Sequence, residues 1–109
     1  MLTWKEGWSN MKKDVIRFEK ILNESQAMYD QLEDLLEKIA ENESRMLALR
    51  EYYYSEEYHR DVEISNQTDR YKDISHGVLS EDAVYNLMIT SYQNSIRMLE
   101  VATQTLKHE

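Results

Sequence analysis

At 109 residues and 13.1 kDa, with 31% charged and 41% hydrophobic side chains, the chain is sized for one polar, folded domain spanning 1–109 rather than a disordered tail. It has no cysteine, no proline and two glycines, Gly7 and Gly77, which excludes disulfides, thiolate zinc sites, cysteine nucleophiles, phosphate-cradling glycine loops and a glycine/proline-rich all-β domain. The net charge of −8 argues against direct nucleic-acid binding, because an acidic protein repels phosphates.

The charge is unevenly spread. Residues 1–23 hold five Lys/Arg against three Asp/Glu, residues 24–63 four against twelve, and residues 64–109 four against six. The middle third thus carries the whole net charge. Such a face suits either a basic protein partner or plain solvation of a helix.

At the N-terminus, Met1 to Trp8 offer no apolar run of signal-peptide type, and nowhere do about 18 apolar residues follow one another. The expectation is a cytoplasmic protein with no membrane partner. Met11-Lys12-Lys13 reads as a second plausible start, which makes residues 1–10 a possible extension.

Thr3-x-x-Glu6 reads as a capping box opening a helix. From there Trp4, Trp8, Met11, Val15, Phe18, Leu22, Ser25, Tyr29, Leu32, Leu36, Ile39, Glu43 and Met46 recur in alternating steps of four and three, the 3.5-residue heptad seam. A second ridge, Ile21, Met28, Leu35 and Leu49 among others, widens the stripe enough for two packing partners. The spacing predicts a long helix over 11–52, about 60 Å for 40 residues, with polar breaks at Asn23-Glu24-Ser25 and Glu41 to Ser44 where it could bend or split. Trp4 and Trp8, four apart on the seam, read as a packing or dimer contact rather than a ligand box.

The texture changes at Tyr52-Tyr53-Tyr54-Ser55-Glu56-Glu57. Ser55 is a strong N-cap candidate, and the two acids after it suit the helix dipole. A short helix over 55–64 follows, then a polar loop over 65–69. Residues 70–75 suit one more helical turn, ended by Gly77 in the left-handed conformation. Ser80 repeats the cap signal, with Leu79 placed to staple onto Val84, and the last helix runs over 81–107 with apolar positions Tyr85, Met88, Tyr92, Ile96, Leu99 and Leu106. The fold class expected is all-α: a long antiparallel helical hairpin, coiled-coil-like, with one or two short helices at the connection. Helix content above roughly 70% follows from the periodicity.

Residues 52–61, Tyr-Tyr-Tyr-Ser-Glu-Glu-Tyr-x-x-Asp, and the block Gly77-Val78-Leu79-Ser80-Glu81-Asp82 resemble a family of small bacterial and phage proteins known as domain-of-unknown-function family 4298. The resemblance spans roughly residues 11–107, and the Gly-Val-Leu-Ser-Glu-Asp block is its specific part. The family pattern has a glycine where Tyr54 stands here and a tryptophan at Tyr58. A tyrosine resists the positive φ that glycine permits. The resemblance implies an α-helical fold and a bacterial or phage origin; it implies no activity.

Chemistry-bearing patterns are few. Glu56-x-x-His59 and Asp73-x-x-His76 have the i, i+3 spacing of di-iron bundles, but the full ligand set needs two further carboxylates. Asp73, Ser75 and His76 supply triad letters without a nucleophile elbow or oxyanion glycines. No catalytic residue, metal ligand or cofactor is expected. Five of the eight tyrosines lie within residues 52–71. Tyrosine suits a core edge as well as an interface, and core packing under the polar loop is the favoured role.

The reading that follows is a non-enzymatic helical protein that binds another, basic protein, as a regulator, immunity-type inhibitor or phage antagonist. The candidate surface is Glu56, Glu57 and Asp61 for charge, with Tyr53 or Tyr58 as anchor; Ser55, Gly77 and Ser80 are structural caps. The alternatives are a homo-oligomeric helical spacer and, more remotely, a carboxylate/histidine metalloenzyme. The last helix is too short to cover the first, so the seam around Trp4 to Phe18 is expected to pair in a homodimer.

Overall fold

A computed structural model describes residues 4–109. The Thr3-x-x-Glu6 capping box begins outside those residues. Of the described residues 86% are helical and none is in a strand. The chain is all-α, in the order of a helical hairpin: a long helix α1 (Trp4–Tyr53), a short connecting helix α2 (Glu56–Gln67), a 3-10 turn (Gly77–Leu79) and a second long helix α3 (Glu81–Leu106). It divides into two units, the residues up to Glu43 and Ser44–Glu109.

In the first unit α1 runs as one helix through Asn23 and on through Asn42, without a split at either polar break. The absence of proline from the whole chain leaves its backbone ladder intact. No residue of α1 is buried.

The second unit holds the core. Only Tyr58 and Val84 are buried among the described residues, at 6% and 3% exposure. Met46, Leu49, Tyr52, Tyr53, Val62, Ile64, Tyr71, Leu79 and Met88 are half-buried. The 3-10 turn touches both α2 and α3 and closes one side of this core.

The α1–α2 corner depends on one hydroxyl. Ser55 Oγ donates to the Tyr52 carbonyl at the end of α1 (2.6 Å) and accepts from the Tyr58 N–H in the first turn of α2 (3.2 Å). It thereby adds a second bond to a carbonyl that the Ser55 N–H already reaches and satisfies one orphan donor at the start of α2. The corner needs no left-handed residue: no described residue has positive φ. Tyr54 still bonds back to the Arg50 carbonyl, which is why a tyrosine fits there.

α2 extends to Gln67, three residues past the expected end. Ser65, Asn66 and Gln67 are polar but helical. The stop is Thr68, whose N–H and hydroxyl both bond the Ile64 carbonyl. Residues 70–75 form turns and a bend rather than a helix, with i+3 bonds from Lys72 to Asp69 and from Ile74 to Tyr71.

Two expected caps differ. Gly77 does not adopt the left-handed conformation; it starts the 3-10 turn, held by bonds from Leu79 to His76 and Ser80 to Gly77. Ser80 occupies the N-cap position of α3, yet its hydroxyl turns back to donate to the Gly77 carbonyl (2.8 Å) and accepts no helix N–H. The Gly77 carbonyl, which already accepts the Ser80 N–H, also takes the hydroxyl that the helix would otherwise use. Ser55→Ala is therefore expected to cost on the order of 1 kcal/mol and Ser80→Ala less. A Cβ built on Gly77 meets nothing within 4 Å, so Gly77→Ala is expected to be neutral or to stabilise by about 0.5 kcal/mol. Urea denaturation midpoints check all three; a Gly77→Ala loss as large as that of Ser55→Ala contradicts this assignment.

Candidate functional site

Two features stand out in the described residues, one in each unit.

The first is a tyrosine–carboxylate cluster in the second unit. Asp61, one turn past the start of α2, lies half-buried between two phenols. Tyr52 from α1 donates to its Oδ2 at 2.7 Å, and Tyr71 from the loop after α2 donates to its Oδ1 at 3.2 Å. Arg60 adds an ion pair at 3.3 Å. Donation from Tyr52, then from Tyr71 and Arg60 together with the guanidinium charge, holds the Asp61 carboxyl below its ordinary range against an opposing effect of burial. Burial, and then the bond to Asp61, push the Tyr52 phenol up to about 12. Tyr58 is raised too, first by burial, then by Tyr53 and Glu81.

The rings form a packed set. Tyr58 meets Tyr53 at 5.0 Å, tilted, and Tyr52 edge-on at 5.5 Å. Its hydroxyl reaches toward the Ser80 carbonyl, and that of Tyr53 toward the Glu81 carbonyl, both at 3.4 Å. These long, weak bonds tie the corner to the start of α3.

The residues expected to form a binding surface thus separate. Glu56 and Glu57 are exposed on the first turn of α2. Tyr53 is half-buried. Tyr58 is buried in the chain's own core, so it fills the core role and is withdrawn as an anchor for a partner. Asp61 spends its lone pairs on Tyr52 and Tyr71. Missing from the expected site were Tyr52 and Tyr71 as partners of Asp61. They lie nine and ten residues from it along the chain, and only the Ser55 corner and the Thr68 stop bring them together.

The second feature lies along α1 in the first unit. Trp4, Trp8, Met11, Val15, Phe18 and Leu22 are all more than half exposed, and Tyr29, Leu32, Leu36 and Ile39 follow at the same spacing with 42–54% exposure. Ile21, Met28 and Leu35 flank them, also exposed. Trp4 and Trp8 pack edge to face at 4.9 Å, and Lys5 and Arg17 lie over Trp4 and Phe18 at 5.7 and 5.1 Å. Together they form an exposed apolar stripe along one face of α1.

Among the described residues no three His, Asp or Glu side chains come together in a way that could hold a metal ion. Glu56 and His59 share exposed α2, while Asp73 and His76 sit in the turn region, where the His76 Nδ1 is 2.8 Å from the Ile74 carbonyl. A hollow along α3, lined by Ile96, Leu99, Glu100, Thr103, Gln104 and Lys107, follows a single helix face. No helix among the described residues is long and apolar enough to cross a membrane.

A family model described as Domain of unknown function (DUF4298) matches residues 15–101, which takes in most of α1, the corner, α2 and most of α3. No curated protein and no solved structure matches the chain.

Proposed function

The chain belongs to that family, DUF4298, and from this premise we propose that it is a non-enzymatic helical module that binds another protein through the seam of α1. The observation that carries this reading is the run of exposed apolar residues from Trp4 to Ile39 at heptad spacing. A helix with that pattern recognises another helix, its apolar positions serving as knobs for the partner's holes. The stretch that carries the C-terminal half of the seam is acidic, with Glu24, Asp30, Glu33, Asp34, Glu37 and Glu41 against Lys38, which favours a basic partner. Glu56 and Glu57, exposed on the first turn of α2, supply charge that steers rather than anchors a basic partner.

Affinity capture from the native cell tests the reading. Val15→Asp/Leu32→Asp puts two charges into the seam and is expected to reduce retained partner at least tenfold, since a charge buried unpaired at an interface core costs several kcal/mol. Glu56→Lys/Glu57→Lys is expected to change only the salt dependence of capture. An unchanged partner yield with the seam variant, its circular dichroism still helical, overturns the proposal.

A further inference from the structure

Resting on the reading that the seam of α1 binds a helix, we infer that the helix it binds is α1 of a second copy, laid antiparallel about a centre between Leu22 and Ser25.

The first support is charge. Along α1 the net charge changes sign: residues 4–23 hold Lys5, Lys12, Lys13, Arg17 and Lys20 against Glu6, Asp14 and Glu19, and residues 24–41 hold Glu24, Asp30, Glu33, Asp34, Glu37 and Glu41 against Lys38. Antiparallel pairing lays the basic third of each copy on the acidic stretch of the other. Parallel pairing lays like on like.

The second support is register. Taking the seam residues as alternating core positions, antiparallel packing alternates the two classes across the interface. One register does so over nearly the whole seam. It sets Trp8 against Ile39 of the second copy, Met11 against Leu36, Val15 against Leu32, and Phe18 against Tyr29. By the two-fold symmetry each of these layers occurs twice. The small Ser25 then falls opposite Leu22 at the centre, and Glu43 falls at the outer end opposite Trp4. In a parallel, in-register pair Ser25 would instead face Ser25, and Glu43 would bury against Glu43. Like charges facing each other there are destabilising.

The third support is what flanks the seam in this register. Lys12 meets Glu33 of the second copy twice, and neither residue makes an ion pair among the described residues of its own chain. On the other flank Ile21 meets Met28 of the second copy, and Leu35 meets Asp14. Parallel pairing brings Asp14 beside Glu19 of the second copy, a repulsion.

Sedimentation equilibrium of the full chain tests this. The unmodified protein is expected to be a dimer at micromolar concentration. Lys12→Glu and Glu33→Lys, each alone, are expected to weaken dimerisation about tenfold, and Lys12→Glu/Glu33→Lys to restore it, because the swap re-forms both pairs. Orientation is read independently, since the chain has no cysteine of its own. Val15→Cys/Leu32→Cys is expected to form a disulfide between copies on oxidation. The two sulfurs of one chain, about 25 Å apart along one helix, cannot join each other. Val15→Cys alone is expected not to cross-link.

A disulfide in Val15→Cys alone, or a charge swap that fails to restore the dimer, overturns the antiparallel register. A monomeric unmodified protein overturns self-pairing altogether. In that case loss of captured partner in Val15→Asp/Leu32→Asp leaves the binding reading standing with a different protein as occupant, and unchanged capture removes both.

Discussion

Tyr58→Ala is expected to cost about 3 kcal/mol, the cost of truncating a buried aromatic ring. Tyr58 is one of two buried residues among those described, and its ring joins the end of α1, the first turn of α2 and the entry to α3 through contacts with Tyr52 and Tyr53 and the hydroxyl aimed at Ser80. A core this small has nothing to collapse into the void. For a unit of this size the loss lowers the melting temperature by more than about 12 °C. Tyr58→Phe keeps the ring and gives up one 3.4 Å hydrogen bond, so it is expected to cost under about 1 kcal/mol. Thermal melts followed by circular dichroism distinguish the two. Near-equal losses would place the weight on the hydroxyl and not on the ring.

The Tyr52–Asp61 pair is expected to bound stability on both sides of neutral pH. The Tyr52 phenol is raised from 10.0 to about 12, first by burial and then by its bond to Asp61. A raised pKa means that the folded chain holds the proton more tightly than the unfolded one. The stabilisation is complete below pH 10 and falls away as pH rises through 10 toward about 12. Asp61 is shifted the other way, lowered from 3.8 chiefly by the Tyr52 hydroxyl. Its contribution is present above the ordinary carboxylate range and is lost as pH falls through and below it. Urea denaturation across pH is expected to show both limbs. Tyr52→Phe is expected to cost about 1–2 kcal/mol at neutral pH, to flatten the alkaline limb and to weaken the acid one. An alkaline limb that survives unchanged in Tyr52→Phe assigns it to other tyrosines.

Helix existence was legible because its signals are local. The heptad seam announces α1, and Ser55 followed by two acids announces α2. At Gly77 the same local reasoning misfired. A glycine after a polar stretch resembles a helix stop, but no helix precedes it, and the chain enters a 3-10 turn whose bonds are met by His76 and Gly77 carbonyls. Polarity misled over Ser65 to Gln67 as well, where backbone continuity carries the helix on until Thr68 takes the Ile64 carbonyl. The hub at Asp61 was out of reach for a different reason. A carboxylate every few residues carries no signal, and its two phenols arrive by way of a corner and a loop. The sequence favoured a core role for the tyrosines, and Tyr58 has one; it also offered Tyr58 as a partner's anchor, a role that burial removes.

The Ser55 corner and the pair of buried residues beside it belong to a stretch that begins at Ser44. Seven residues added to or removed from α1 ahead of Ser44 would shift the stripe by two helical turns and return every apolar side chain to its own face. The stripe is thus graduated in heptads, and its length is free to drift in evolution by whole heptads while its face stays the same.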